Sequence, residues 1–119
     1  MEWQVEYTDE FGAWWDTLTE GERETLDACV GLLINYGPAL AYPYSSSIRG
    51  SRHRQMRELR IQHQGKPYRV FYAFDPRRTA ILLIGGTKGS DKQWYKRFVP
   101  VANALYDDHL KILRRKGFL

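Results

Sequence analysis

The residue patterns predict an α+β fold of order βαα-βββ-α: a mainly antiparallel sheet packed against two N-terminal helices, with a further helix at the C-terminal end. Two helical periods near the start, three short apolar runs divided by turn signals, and a long amphipathic stretch at the end carry that reading. With 119 residues and 43% hydrophobic content, the chain fits one domain over residues 1–119 with a core to bury.

Each element has its own signal. Trp3, Val5 and Tyr7 alternate with Glu2, Gln4 and Glu6, the period of a half-buried strand. Thr8 or Asp9 can cap the next helix, in which Phe11, Trp14, Trp15 and Leu18 recur at helical spacing. Thr19 and Glu22 make a capping box for a second helix with the buried stripe Leu26, Cys29, Val30 and Leu33, and Gly37-Pro38 ends it. Residues 38–55 hold two prolines, four serines and no period, so a long surface loop is expected, a kind that is usually functional or mobile.

Three strands are expected next. Residues 56–62 put Leu59 and Ile61 on one face, with Glu58, Arg60 and Gln62 on the other. The apolar run 68–74 suits a central strand, and the Asp75-Pro76 turn leads to a third strand over 79–85. Gly85, Gly86 and Gly89 then loosen the chain. Ser90 and Gln93 offer a second capping box, which predicts a helix from near Asp91 with Trp94, Phe98, Val101, Ala102 and Leu105 on one side. Pro100 either kinks that helix or restarts it, and basic residues before Gly117 favour its end.

The formal net charge of +4 hides a division. Residues 1–36 carry nine acids and one base, a balance of −8, whereas residues 37–119 carry +12. An acidic back and a basic working face would gather a polyanion. Arg49, Arg52, Arg54, Arg57 and Arg60 make the densest footprint, suited to RNA backbone, with a solvated loop as the plainer reading. Cys29 stands alone, so no intrachain disulfide forms and a reducing compartment is expected; on its stripe it reads as an inert core residue. An acidic N-terminus and the lack of a long apolar run point to a soluble, cytoplasmic chain without a membrane partner. No metal and no cofactor are expected: three scattered histidines and one cysteine give no zinc spacing, and GGTKG lacks the spacing of a phosphate-binding P-loop.

The order of elements, together with "IRG", "RELRI", "YRVFY", "ILLIGGTKGSDKQWY" and "PVANALYDDHL", resembles the RelE/HigB family of bacterial type II toxins over nearly the whole chain, in particular its phage-derived HigB-like branch. The resemblance implies a toxin that cleaves mRNA on the ribosome and so inhibits translation, without metal, by attack of a ribose 2′-OH on the adjacent phosphorus. Such chemistry needs cations, a proton acceptor and a proton donor. It implies catalytic roles for Arg69, which matches the family's strand arginine, and for Arg60, Lys88 and Tyr95. Arg49, Arg52, Arg54, Arg57 and Lys92 are expected to bind RNA.

Departures leave the general base open among Glu58, His53 and Tyr95. Glu58 takes a position that carries lysine in RelE, and serves either as base or as the partner of Arg60 or Arg69. His53 and His63 read as solvated loop residues and His109 as structural. The implied partners are mRNA, the ribosome and a cognate antitoxin of helix-turn-helix type. A gyrase-inhibiting toxin of the ParE type, or a non-catalytic RNA-binding domain, are the rival readings; the first typically lacks these cations, and the second finds no exposed aromatic stacking motif.

Overall fold

A computed structural model describes residues 2–119. The elements run β1 (Val5–Tyr7), α1 (Asp9–Asp16), α2 (Glu20–Tyr36), a short 3₁₀ turn (Gly37–Ala39), β2 (Ser45–Ser47), β3 (Arg57–His63), β4 (Lys66–Phe74), β5 (Ala80–Thr87) and α3 (Trp94–Arg115). The five strands form one sheet in the order β1-β5-β4-β3-β2, with β1 parallel to β5 and every other pair antiparallel. The expected α+β architecture is present, and the sheet has one strand more than expected.

The sheet is covered on both faces. On one side Phe11, Leu26 and Leu33 of the first two helices pack against Leu59, Ile61, Val70, Tyr72 and Leu82. On the other, Trp94, Val99, Ala102 and Tyr106 of α3 pack against Phe71, Ala73, Ile81 and Leu83. A strand buried on both faces must be apolar at successive positions, which explains why residues 70–73 are all hydrophobic. Between Phe71 and Tyr72 the β4–β5 register slips by one residue at Leu83. The Leu83 carbonyl accepts the Thr8 hydroxyl at 2.6 Å, and that same hydroxyl oxygen accepts the Phe11 N–H as the N-cap of α1. The Thr19–Glu22 capping box forms as expected.

Several expectations need correction. The 38–55 stretch is not all loop: Ser45–Ser47 pair with Arg57–Leu59 as an edge strand. Ser90 and Gln93 do not cap a helix. Instead α3 begins at Trp94 with no side-chain cap, and Asp91 Oδ1 accepts the Gln93 N–H at 2.8 Å in a turn before it. Pro100 lies inside a continuous helix that neither stops nor restarts there. Trp94 and Ala102 are buried as expected, but Val101 is exposed, and Val99 and Tyr106 complete the buried stripe of α3. Trp3 precedes the first strand, and Tyr7 is exposed rather than half-buried.

The third strand runs past Gly85 to Thr87, so Gly86 belongs to β5 as well and neither glycine loosens the chain. A methyl group on Gly85 would lie 2.2 Å from the Trp14 ring, and one on Gly86 would lie 3.0 Å from Trp94, so the two glycines receive one indole on each face. Gly37 meets its own demand, since it ends α2 at a φ of 56° directly under the Trp3 indole. At the far end, the Phe118 N–H reaches Leu113 O and the Gly117 N–H reaches Arg114 O, the paired bonds that close a helix C-terminus.

Candidate active site

On the α3 side of the sheet, β3 and β4 set Arg60 directly opposite Arg69. Like charges at a facing pair repel unless an anion lies between them. Glu58, two residues back along β3, supplies it: its Oε2 accepts Arg60 Nη1 at 3.3 Å and its Oε1 lies 3.6 Å from Arg69 Nε. Tyr95, in the first turn of α3, donates its hydroxyl to Glu58 Oε1 at 2.6 Å and accepts Arg69 Nε at 3.1 Å. The Ser46 hydroxyl, from edge strand β2, donates to Glu58 Oε2 at 2.7 Å. Four elements therefore converge on one carboxyl group. The ammonium of Lys88, just beyond β5, sits 5.9 Å from the centre of the Tyr95 ring.

Burial sharpens the arrangement. Glu58 is 4% exposed and Arg69 is 7% exposed, yet neither leaves a fully buried side-chain atom without a partner, and Arg69 Nη1 also donates to the Tyr68 carbonyl at 2.9 Å. Burial, followed by the hydrogen bond to Glu58, raises the pKa of the Tyr95 hydroxyl above its ordinary value, and Arg69 only partly opposes this. Tyr95 therefore holds its proton at neutral pH, and of the two groups it is the donor. Arg60, Arg69, Lys88 and Tyr95 are brought together, and Glu58 sits at their centre.

The histidines lie elsewhere. His53 Nε2 pairs with Asp107 Oδ1 at 2.8 Å and its ring packs edge-on against Tyr106. Asp107 lies about 18 Å along α3 from Tyr95. Burial and the neighbouring Arg52 lower the His53 pKa, which keeps the ring neutral. His63 Nδ1 lies 2.7 Å from the Thr25 hydroxyl, and His109 Nε2 lies 2.9 Å from the buried Asp75. All three act as struts between elements, so His53 and His63 are more constrained than solvated loop residues.

The expected RNA-binding residues divide. Arg49, Arg54 and Lys92 are exposed and make no salt bridge among the described residues. Arg52 is exposed but paired with Asp107, and Arg57 is half-buried with Nε donating to the Ser45 hydroxyl at 3.0 Å. Ser51 donates to Asn103 Oδ1 at 2.7 Å, so the basic loop is fastened to α3. Ser46 escaped the sequence reading because the only trace of its strand is three serines in an irregular stretch. Tyr42 and Tyr44, exposed beside the cluster, escaped it too.

A second feature lies on the acidic side. A groove of about 730 Å³ between β1, α1 and α2 is lined by Val5, Phe11, Trp15, Val30 and Ile34 and edged by Asp9, Asp16 and Asp27.

Residues 13–107 match the model of a family described as phage-derived protein Gp49-like. A Mycobacterium tuberculosis protein described as "Putative toxin HigB2" is 38% identical over 104 residues, covering 86% of this chain and 52% of that protein. One described as "Putative toxin HigB3", from the same organism, is 36% identical over 91 residues, covering 76% of this chain and 78% of the relative. The chain thus spans about half the length of the first relative and most of the second. Among solved structures, a mutant of the Escherichia coli toxin RelE in the free state superposes with a TM-score of 0.57 at 15% identity, over 79% of this chain and 92% of that one. The archaeal RelE–RelB complex from Pyrococcus horikoshii gives 0.55 at 15% identity, over 76% and 100%. At such identity these two speak for the fold alone.

Proposed function

The chain belongs to the Gp49-like, phage-derived HigB branch of the RelE/HigB superfamily, and on that premise we propose that residues 1–119 form the toxin of a type II toxin–antitoxin system, an mRNA endonuclease that acts on the ribosome. The convergence of Arg60, Arg69, Ser46 and Tyr95 on the buried Glu58 carries the reading. A folded sheet has no need of two facing arginines; a phosphodiester does.

In the proposed reaction, substrate entry opens the Tyr95–Glu58 and Arg60–Glu58 contacts. Glu58 then takes the proton of the ribose 2′-OH as that oxygen forms a bond to phosphorus. The bond to the 5′-oxygen breaks, and Tyr95 gives its proton to the departing oxygen. A 2′,3′-cyclic phosphate and a 5′-OH end result. Arg69 and Arg60 hold the non-bridging oxygens as charge builds, a task that suits a planar guanidinium, and Lys88 adds a cation beside Tyr95. All proton transfer falls to side chains, so the reaction as drawn takes no metal and no cofactor.

Arg49, Arg52, Arg54, Arg57 and Lys92 attract RNA backbone on the ribosome, and the cytoplasm is the compartment that this reading requires. The partner that silences the toxin is a cognate antitoxin of helix-turn-helix type.

Induced expression of the wild type and of Glu58→Gln, followed by mapping of cellular mRNA 5′-OH ends, tests the reading. The wild type should halt translation and create new ends, and the variant should lose roughly 10²–10⁴ in cleavage. Equal cleavage by a folded variant removes Glu58 from the chemistry. DNA damage without new ends would favour gyrase inhibition instead.

A further inference from the structure

Resting on the nuclease reading above, we infer that Tyr42 is a stacking platform for a nucleobase next to the scissile phosphate. Tyr42 is 72% exposed, the most exposed large hydrophobic side chain among the described residues, and Tyr44 beside it is 49% exposed. Tyr7 and Tyr36 are also exposed, so exposure alone assigns no task; what sets Tyr42 apart is its place beside the site, where a base is the flat, apolar object that such a ring accepts.

Placement gives the ring that task. The Arg60 guanidinium lies over the Tyr42 ring, 5.2 Å from its centre, while its Nη1 holds Glu58 Oε2. One guanidinium thus joins the carboxyl group at the heart of the site to the aromatic face beside it. With Arg60 stacked on one side of Tyr42, the other side is open to a base, which gives a layered order of base, ring and cation. The stretch that carries Tyr42 is also pinned. The Tyr44 and Ser45 N–H groups reach the Ala41 carbonyl at 3.0 and 3.1 Å, and the Arg60 N–H reaches the Tyr44 carbonyl at 2.9 Å. The platform is therefore fixed to the strand that bears Glu58 and Arg60. Every base offers a π-face, so the contact favours RNA that presents an unstacked base over a paired duplex, with little choice among bases.

The test uses a short single-stranded RNA with 2-aminopurine at one position, and the same RNA made abasic there, bound in the Glu58→Gln background so that it stays intact. With Tyr42, the base-bearing RNA should bind tighter than the abasic one, and its fluorescence should be quenched. Tyr42→Ala should weaken base-bearing RNA by roughly 5- to 100-fold, leave abasic RNA nearly unchanged and abolish quenching, while Tyr42→Trp restores both. Equal loss for both RNAs would make Tyr42 a general contact and overturn the stacking role. So would weakened antitoxin capture with unchanged RNA binding, which would make the ring a protein contact. If RNA binds neither free nor on the ribosome, the nuclease reading and the platform fall together; if RNA binds and the base makes no difference, only the platform falls.

Discussion

Replacement of Arg69 by alanine removes the most deeply placed cation of the site, and its effects on rate and on stability must be separated. The guanidinium holds the Tyr95 hydroxyl and the Tyr68 carbonyl and lies 3.6 Å from Glu58, all with 7% exposure. Breaking a buried ion pair from one side destabilises by about 3–5 kcal/mol, because the other charge is left behind. Here Glu58 keeps Ser46 at 2.7 Å, Tyr95 at 2.6 Å and Arg60 at 3.3 Å, so the low end of that range applies, about 3 kcal/mol. For a chain of this size the melting temperature should fall by roughly 10–15 °C. Cleavage should fall further, by about 10²–10³, through loss of one placed charge donor. The double variant Arg69→Ala/Glu58→Gln separates the two effects, since removing the stranded carboxylate should recover much of the stability and none of the activity. Thermal melts and single-turnover cleavage of a short RNA supply both measurements. Normal cleavage by a folded Arg69→Ala protein would refute the assignment, and a double variant no more stable than the single one would refute the stranded-charge argument.

Two further outcomes concern the frame. Burial alone would raise the pKa of Asp75, but hydrogen bonds from His109, Arg77 and the Thr79 N–H outweigh it and hold the carboxyl below the usual range. A lowered folded-state pKa gives stability that is present above the unfolded value and lost as pH falls through the folded one. Asp75→Asn should therefore cost about 1–3 kcal/mol at neutral pH, with the gap to wild type narrowing toward about pH 3; a gap constant across that range in paired melts counts against the account. Gly85→Ala should destabilise by about 1–3 kcal/mol, because its methyl meets the Trp14 ring at 2.2 Å, whereas Gly31→Ala, with nothing within 4 Å in the middle of α2, should stabilise by about 0.5–1 kcal/mol. Denaturation midpoints that move in the same direction for both would sink the packing argument.

Much of the frame could be read from the chain because its signals are local. The Thr19–Glu22 box lies within one turn, and the apolar run 70–73 states burial on both faces without reference to any partner. The errors fall where a partner distant in sequence decides. Ser45–Ser47 has no strand pattern of its own and becomes one only because Arg57–Leu59 offers an edge. Gly85-Gly86 looks like a loop until two tryptophans, from residues 14 and 94, are seen to need the space. Ser90 and Gln93 have capping-box spacing, but Asp91 takes the turn's N–H first. The four residues expected at the site, Arg60, Arg69, Lys88 and Tyr95, lie near one another, yet the group at their centre, Glu58, was one of three possibilities for the general base, since strand spacing gives the face of a residue and not what lies above it.

The same contrast bears on why the cluster exists. Next to Arg69 on β4, Phe71 and Ala73 fill the α3 side of the sheet with ordinary apolar packing. Extending that packing by one more pair of residues would seal the sheet without ionic groups, and buried ion pairs are often no more stabilising than apolar residues of similar volume. Instead Glu58 and Arg69 are both nearly out of water, and their partners come from β2, β3 and α3 at once. A polar network of this kind is tolerable only when every member is satisfied, and among the described residues every buried side-chain nitrogen and oxygen has a partner. The satisfaction is internal and substitutable, since a phosphodiester offers Arg69, Arg60 and Tyr95 the same acceptor oxygens that Glu58 now offers. In the proposed reaction Glu58 of the resting protein thus occupies, in charge and in hydrogen bonding, the role that the substrate would take over, which would keep the cations in place before RNA arrives and free Glu58 as a proton acceptor once it does.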